Sequence, residues 1–330
     1  MGEYNGRINV SKDTMLFVVN SVFDKDIKES TTKENILKMM PKIYEDADDE
    51  QIIKMLPYRT YKDLERLIEY IKTSNDIKSF FYKREHPDIR YLEESMIIVM
   101  RAKHLEYNYF LNPGVVENLS RLFSKENKEI AKRYGKIEHL TIGMLYSYGI
   151  VDFKFLRNQL CKYMNEIITE KELRDIYFTR LNLNTFVNDY DIRWTNTNEI
   201  QSFVTYLDEE YSPIDIGEIA EEQKVRKMKY KQFSKQEILK REEYFVSEKG
   251  QKLYQFLKSQ NNNIHEWQFK ELVKKNELGI DILGKLSNLC MFEDDFELKK
   301  FMRLFQDWYN NSPQYMLGGY SPIEFRETYK

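Results

Sequence analysis

A chain of 330 residues with 42% apolar and 32% charged side chains is long enough for more than one hydrophobic core and too apolar to stay unfolded. Its 51 basic and 54 acidic residues leave a formal charge of -3, which excludes a global field that would draw it onto nucleic acid or an anionic membrane. Only 12 Gly and 7 Pro punctuate it, too few for the turns of a sandwich or barrel, so the expected fold class is mainly α.

The first region, 1–81, carries short helix signals. Ser11 or Asp13 caps an apolar segment from Met15 to Phe23, Thr32 precedes Glu34 to Met40, and Asp48 or Asp49 opens Gln51 to Leu56. Leu64, Leu67, Ile68 and Ile71 then share one helical face. In the connector region 82–136, the set Leu92, Met96, Val99 and Met100 predicts one long helix from Asp88 to Leu111, stopped by Asn112-Pro113-Gly114, and a second helix follows from Val115 to Phe123. The charged interval 124–136 reads as a bridge to the next domain.

The domain expected at 137–212 is the best patterned. Ile142, Leu145 and Tyr146 begin a helix that Gly149 ends. Phe153, Leu156, Leu160 and Met164 form a second stripe, and Thr169 opens a third helix with Leu173, Ile176 and Leu181. Phe186 to Trp194 alternates β-favouring residues around an Asn-Asp turn, which suits one small hairpin, and Asn198 to Glu209 is expected to close the domain as a helix. Three helices and a hairpin make a central winged-helix-like unit. A charged linker, 213–235, leads into a C-terminal helical domain, 236–330, with segments at Ile238–Phe245, Leu253–Leu257, Phe269–Val273, Ile280–Leu289 and Phe296–Trp308.

The tail is the segment most like a signature: Asn311-Ser312-Pro313 is followed by Gly319-Tyr320-Ser321-Pro322-Ile323-Glu324. It resembles the closing N-[ST]-P…G-[YH]-[ST]-P-x-E segment of uncharacterised bacterial and phage proteins that carry SEC-C-like or Rho-N-like regions. The run Thr31 to Thr73 resembles the helix, extended loop and helix of Rho N-terminal-like modules.

Catalytic and metal-binding patterns are sparse. Cys161 and Cys290 have no CxxC or Cys/His companions, and the four histidines share no ligand spacing; His265-Glu266 lacks the second histidine of HExxH. No phosphate loop and no GxSxG occurs, so neither cofactor nor metal is expected. Asp48-Asp49 and Asp294-Asp295 sit where helices begin and read as caps. Arg133 and His139 have the R-x5-H spacing that resembles the motif of the HEPN helical ribonucleases; the resemblance implies that Arg133 stabilises phosphate charge while His139 moves a proton at a 2′-hydroxyl, without a metal.

Candidate nucleic-acid contacts are Lys171, Arg174 and Arg180 on the third helix, Arg193 at the hairpin, and Lys224, Arg226, Lys227, Lys229 and Lys231 in the linker. Glu170, Glu172 and Asp175 lie beside the first group and repel phosphate. Trp308, Tyr315 and Tyr320 are candidate partner-binding aromatics, against the alternative that Trp308 extends the apolar face of Phe301, Leu304 and Phe305. The expected role is therefore a non-enzymatic cytoplasmic adaptor or regulator that binds DNA, RNA or a protein partner, with the metal-independent ribonuclease of a conflict system as the alternative. The one early apolar run, Met15 to Val19, is too short to cross a bilayer, so no membrane partner is expected.

Overall fold

The computed structural model describes residues 7–73, 89–103, 106–148, 150–183, 193–196, 201–204, 229–241, 246–277, 282–290, 292 and 294–329. The chain is mainly helical and divides into two compact units, Met1–Glu138 with Glu166–Asp191, and His139–Asn165 with Ile192–Lys330. Among the described residues, no helix is long and apolar enough to cross a membrane.

In the first unit, β1 (Arg7–Ile8) precedes α1 (Lys12–Phe17), which Ser11 caps by accepting from the Thr14 backbone and which continues as one π-helical turn, Val18–Val22. Helices α2 (Lys33–Asp46), α3 (Asp49–Met55) and α4 (Tyr58–Ile71) follow. The caps of α2 and α3 are Thr32 and Asp48. Pro41 inside α2 has no N–H to give the Leu37 carbonyl. The Asn112 side chain supplies that bond instead, donating to Leu37 O at 3.3 Å, while Asn118 donates to Pro41 O at 3.0 Å. At the other end of α2, Arg121 donates to the carbonyls of Tyr44 at 2.8 Å and Ala47 at 2.7 Å and pairs with Asp49 at 2.6 Å, so a cation closes the negative end of the helix.

The long helix expected from Asp88 to Leu111 does not form. Its place holds α5 (Ile89–Glu94), β2 (Ile98–Lys103) and β3 (Glu106–Leu111). Met96 breaks the helix with a left-handed φ of 59°, and the apolar run after it becomes the central strand of an antiparallel sheet ordered β1-β2-β3. Ile8 pairs with Arg101 across β1 and β2, and Ile98 with Leu111 across β2 and β3. Tyr44 anchors the turn between α5 and β2 by donating from the buried core to Ser95 O at 2.8 Å.

After α6 (Pro113–Leu119) and a 3₁₀ turn, Ser120–Phe123, the interval read as a charged bridge is the start of the 24-residue helix α7 (Lys125–Tyr148). Gly135 lies inside it. Lys, Glu and His139 occupy its exposed positions, whereas Ala131, Tyr134, Ile137, Leu140 and Met144 recur at helical spacing and are buried, which makes it amphipathic. Then come β4 (Ile150–Asp152), α8 (Phe153–Met164), α9 (Glu170–Leu183), β5 (Arg193–Asn196) and β6 (Gln201–Val204). Within the stretch expected as a helix, 198–209, the described residues Gln201–Val204 form β6, which lies between β4 and β5 in a second antiparallel sheet. Where one small hairpin is expected, the described residues contain two three-stranded sheets, in the second of which β5 and β6 are an adjacent antiparallel pair. Residues 184–192, where that hairpin was expected to begin, lie outside the described residues, as do 205–228 of the charged linker.

The remainder of the second unit is helical: α10 (Lys235–Lys240), α11 (Glu248–Gln260), α12 (Glu266–Glu277), α13 (Leu283–Ser287), α14 (Asp295–Asn311), a 3₁₀ turn Tyr315–Leu317 and α15 (Pro322–Thr328). Leu253, Leu257, Phe269, Phe301 and Trp308 form one apolar cluster between α11, α12 and α14. Asp294 caps α14 by accepting from the Glu297 backbone, as the acidic pair predicts.

Candidate interaction surfaces

The first candidate lies on α7 and α9. Arg133 on α7 points at two carboxylates of its own unit: Nη1 donates to Glu172 on α9 at 2.6 Å, and Nε lies 2.8 Å from Glu166 in an ion pair outside hydrogen-bond geometry. Partial burial works against the Arg133 charge, but the Glu172 hydrogen bond and the fields of both carboxylates outweigh it and hold its pKa above the ordinary value. Tyr134 beside it donates to Glu50 on α3. His139 is exposed on the same helix, roughly 240° around from Arg133 at 100° per residue, so the two do not share a face.

Helix α9 buries Leu173, Ile176 and Tyr177 and packs against α3. Of its basic candidates, Arg174 is held by Glu170 through Nε at 3.0 Å and Nη2 at 2.7 Å, and Lys171 is exposed. Arg180 lies on the second half of α9 and Arg193 opens β5. Lys224, Arg226 and Lys227 lie outside the described residues. One residue the charge pattern did not flag is Ile167, 86% exposed just before α9, where Asn165 ends α8 in the left-handed conformation. An isolated isoleucine between a turn and a Thr-capped helix carries no periodic signal.

The second candidate is the segment 229–233 with the tail, all in the second unit. Lys231 N donates to Gly318 O at 3.0 Å, Tyr148 donates to Lys231 O at 2.7 Å, and Tyr163 donates to Phe233 O at 2.7 Å. Tyr329 accepts from Lys229 N at 2.7 Å and donates back to its carbonyl at 3.2 Å. Lys231 Nζ pairs with Glu324 at 2.5 Å and lies 5.1 Å from the Phe233 ring centroid, so this cation is engaged within the fold, whereas Lys229 is exposed. Burial opposes the Glu324 charge, but Lys231 and the Ser321 backbone bring its pKa below the ordinary value. Tyr230 accepts from Asp152 N at 3.0 Å, and burial pushes its pKa up to about 12.

These contacts explain the tail's residue types. Gly318 and Gly319 take φ of 60° and 88°, and a Cβ on Gly319 would meet the Tyr148 ring at 3.0 Å. Ser321 and Glu324 form a reciprocal capping box with Pro322 in the first turn of α15.

The third candidate is aromatic. Trp308 and Tyr315 are 1% and 5% exposed, so both rings belong to the core and neither presents a partner-binding surface; Tyr320 is partly exposed and packs edge-on against Phe325 and Tyr329. The exposed apolar side chains of α14 lie elsewhere: Phe296 is 73% exposed, Leu298 and Met302 are each 42% exposed and Tyr309 37%. Among the described residues, no group of three or more His, Cys, Asp or Glu side chains is placed to hold a metal ion. Compared with family models, curated proteins and solved structures, the chain matches none.

Proposed function

We propose that the chain is a non-enzymatic adaptor or regulator that docks on a protein rather than on a nucleic acid through the surface of its first unit around Ile167 and α9. The element order α7, β4, α8, α9, β5, β6, with β6 between β4 and β5, supports the winged-helix comparison. The observation that carries the choice of partner is the charge state of α9. Arg174 is paired with Glu170, and Glu172 is tied to Arg133, so on the described side chains of α9 the carboxylates offset the arginine and Lys171 is the exposed cation left to meet phosphate. The apolar face of α9 is already occupied by α3. The ribonuclease alternative asks phosphate to displace two carboxylates from Arg133.

The test is a heparin column, a labelled-RNA assay and affinity capture with full-length protein. Elution below physiological salt of about 0.15 M, intact RNA, and a discrete captured protein lost on Ile167→Glu with an unchanged unfolding midpoint are expected. Retention well above that salt, or RNA cleavage abolished by His139→Ala, would overturn the proposal.

A further inference from the structure

A cavity of about 470 Å³ opens in the first unit between the outer face of α1 with its π turn and the loop that follows them. That volume falls within the roughly 300–1,000 Å³ of small-molecule sites. On a regular helix each residue advances 100°, so Asn20 and Ser21 would drift about 40° past Leu16 and Phe17. A π turn holds more residues per turn and each advances less, which over Val18–Val22 brings Asn20 and Ser21 back toward the face of Lys12 and Leu16. The opposite side of the same turn, Val18, Val19 and Val22, is buried, so this wall of the cavity is fixed by the core.

The second wall is tied to the first. Asn20 Nδ2 donates to Ile27 O at 2.9 Å, and its Oδ1 accepts from Ile27 N at 2.8 Å. Asp24 opens the loop with a φ of 52°, Ile27 is buried, and Glu29 comes to line the cavity two residues later.

The lining charges have not closed on one another. Lys12, Asp13, Ser21 and Glu29 share the cavity, and no ion pair or hydrogen bond joins their side chains to another described residue. Elsewhere in this unit such neighbours do pair, as Lys42 does with Glu45 and Asp46, and Lys54 with Glu50. One ammonium against two carboxylates leaves the lining with one excess negative charge, and Leu16 with Phe17 supplies an apolar side. A ligand that answers all of these carries one carboxylate, two separated cationic groups and an aliphatic stem. A polyamine would set a cation against Lys12, and an apolar amino acid would leave one carboxylate unanswered.

We infer that this cavity binds a free basic amino acid, its carboxylate at Lys12 and its two cationic groups at Asp13 and Glu29. The site shares no residue with the α9 surface and does not depend on the role given to it.

Calorimetric titration of the full chain with L-arginine tests this, and saturable binding at one site is expected. Agmatine, which lacks the carboxylate, and L-leucine, which lacks the second cation, should each bind about fivefold more weakly. Glu29→Gln and Asp13→Asn should weaken arginine by a similar factor, and Lys12→Met should narrow the gap between arginine and agmatine. Ser21→Trp, at an exposed position, should fill the cavity and abolish binding, with circular dichroism verifying the fold of each variant. No saturation by arginine, agmatine or leucine binding as tightly as arginine, an unchanged gap in Lys12→Met, or binding that survives Ser21→Trp overturns the inference. So does equal binding of arginine acetylated and amidated at its ends, which assigns the cavity to an arginine side chain of another protein.

Discussion

Gly143 sets two physical effects against each other. In the middle of α7, replacing glycine by alanine gains about 1 kcal/mol of helix propensity. The alanine Cβ, however, would lie 2.2 Å from the Ile238 carbonyl oxygen on α10 and 3.0 Å from its carbonyl carbon. Even a close C–H···O contact needs about 3.3 Å, so the backbones of α7 and α10 would have to move apart by roughly 1 Å. Neither atom is the end of a flexible chain, and overpacking of this sort costs about 1–3 kcal/mol and sometimes more. A 2.2 Å approach to backbone atoms puts the clash in the upper part of that range, about 2–3 kcal/mol, so steric cost wins and Gly143→Ala is expected to destabilise the second unit by about 1–2 kcal/mol, lowering its melting temperature by several degrees. Gly284→Ala supplies the control: a Cβ there meets nothing within 4 Å, so it should be neutral or slightly stabilising. Urea titrations monitored by circular dichroism measure both. A Gly143→Ala protein as stable as the parent would refute the close approach of α7 and α10.

Trp308→Ala removes the largest fully buried side chain among the described residues and should cost about 3–5 kcal/mol, read as a lower urea midpoint with an unchanged slope. Gly319→Ala places a Cβ at φ 88° against Tyr148 and should cost about 1–3 kcal/mol, with protease sensitivity rising first at the tail and the 229–233 segment if the strap is released. Glu50 is held below its ordinary pKa of 4.5 by the Tyr134 hydrogen bond and then by Lys54. Its contribution is thus fully present above that value and is lost as pH falls through the lower folded-state pKa. Glu50→Gln should accordingly flatten the acid limb of a urea-midpoint profile taken from pH 7 to 3; an unaltered limb would show that the pair does not act on stability.

Signals confined to a few neighbouring residues were readable in the sequence. Thr32 caps the helix it marks, Ser11 and Asp48 are the capping members of the pairs Ser11 or Asp13 and Asp48 or Asp49, and Asp294 caps α14, because an N-cap bond spans three residues. Trp308 followed the buried face of Phe301, as its spacing allowed. Leu298, Met302 and Tyr309 on the same helix were equally visible, but a helix with apolar residues on more than one side does not say which side its own core will take.

What the sequence determined by itself was the mainly helical class, most helix starts and the apolar faces that needed partners. Tertiary structure alone decided the strands: the apolar run after Met96 satisfies a helical and an extended pattern equally, and its part from Ile98 onward became β2 because Arg7–Ile8 and Glu106–Leu111 were present to pair with it. It also decided that Arg133 is clamped by Glu166 and Glu172, and that Lys231 is held by Glu324. The fate of a strand or a cation depends on a partner brought near by folding, and residues as distant as Ile8 and Arg101 carry no local sign that they will meet.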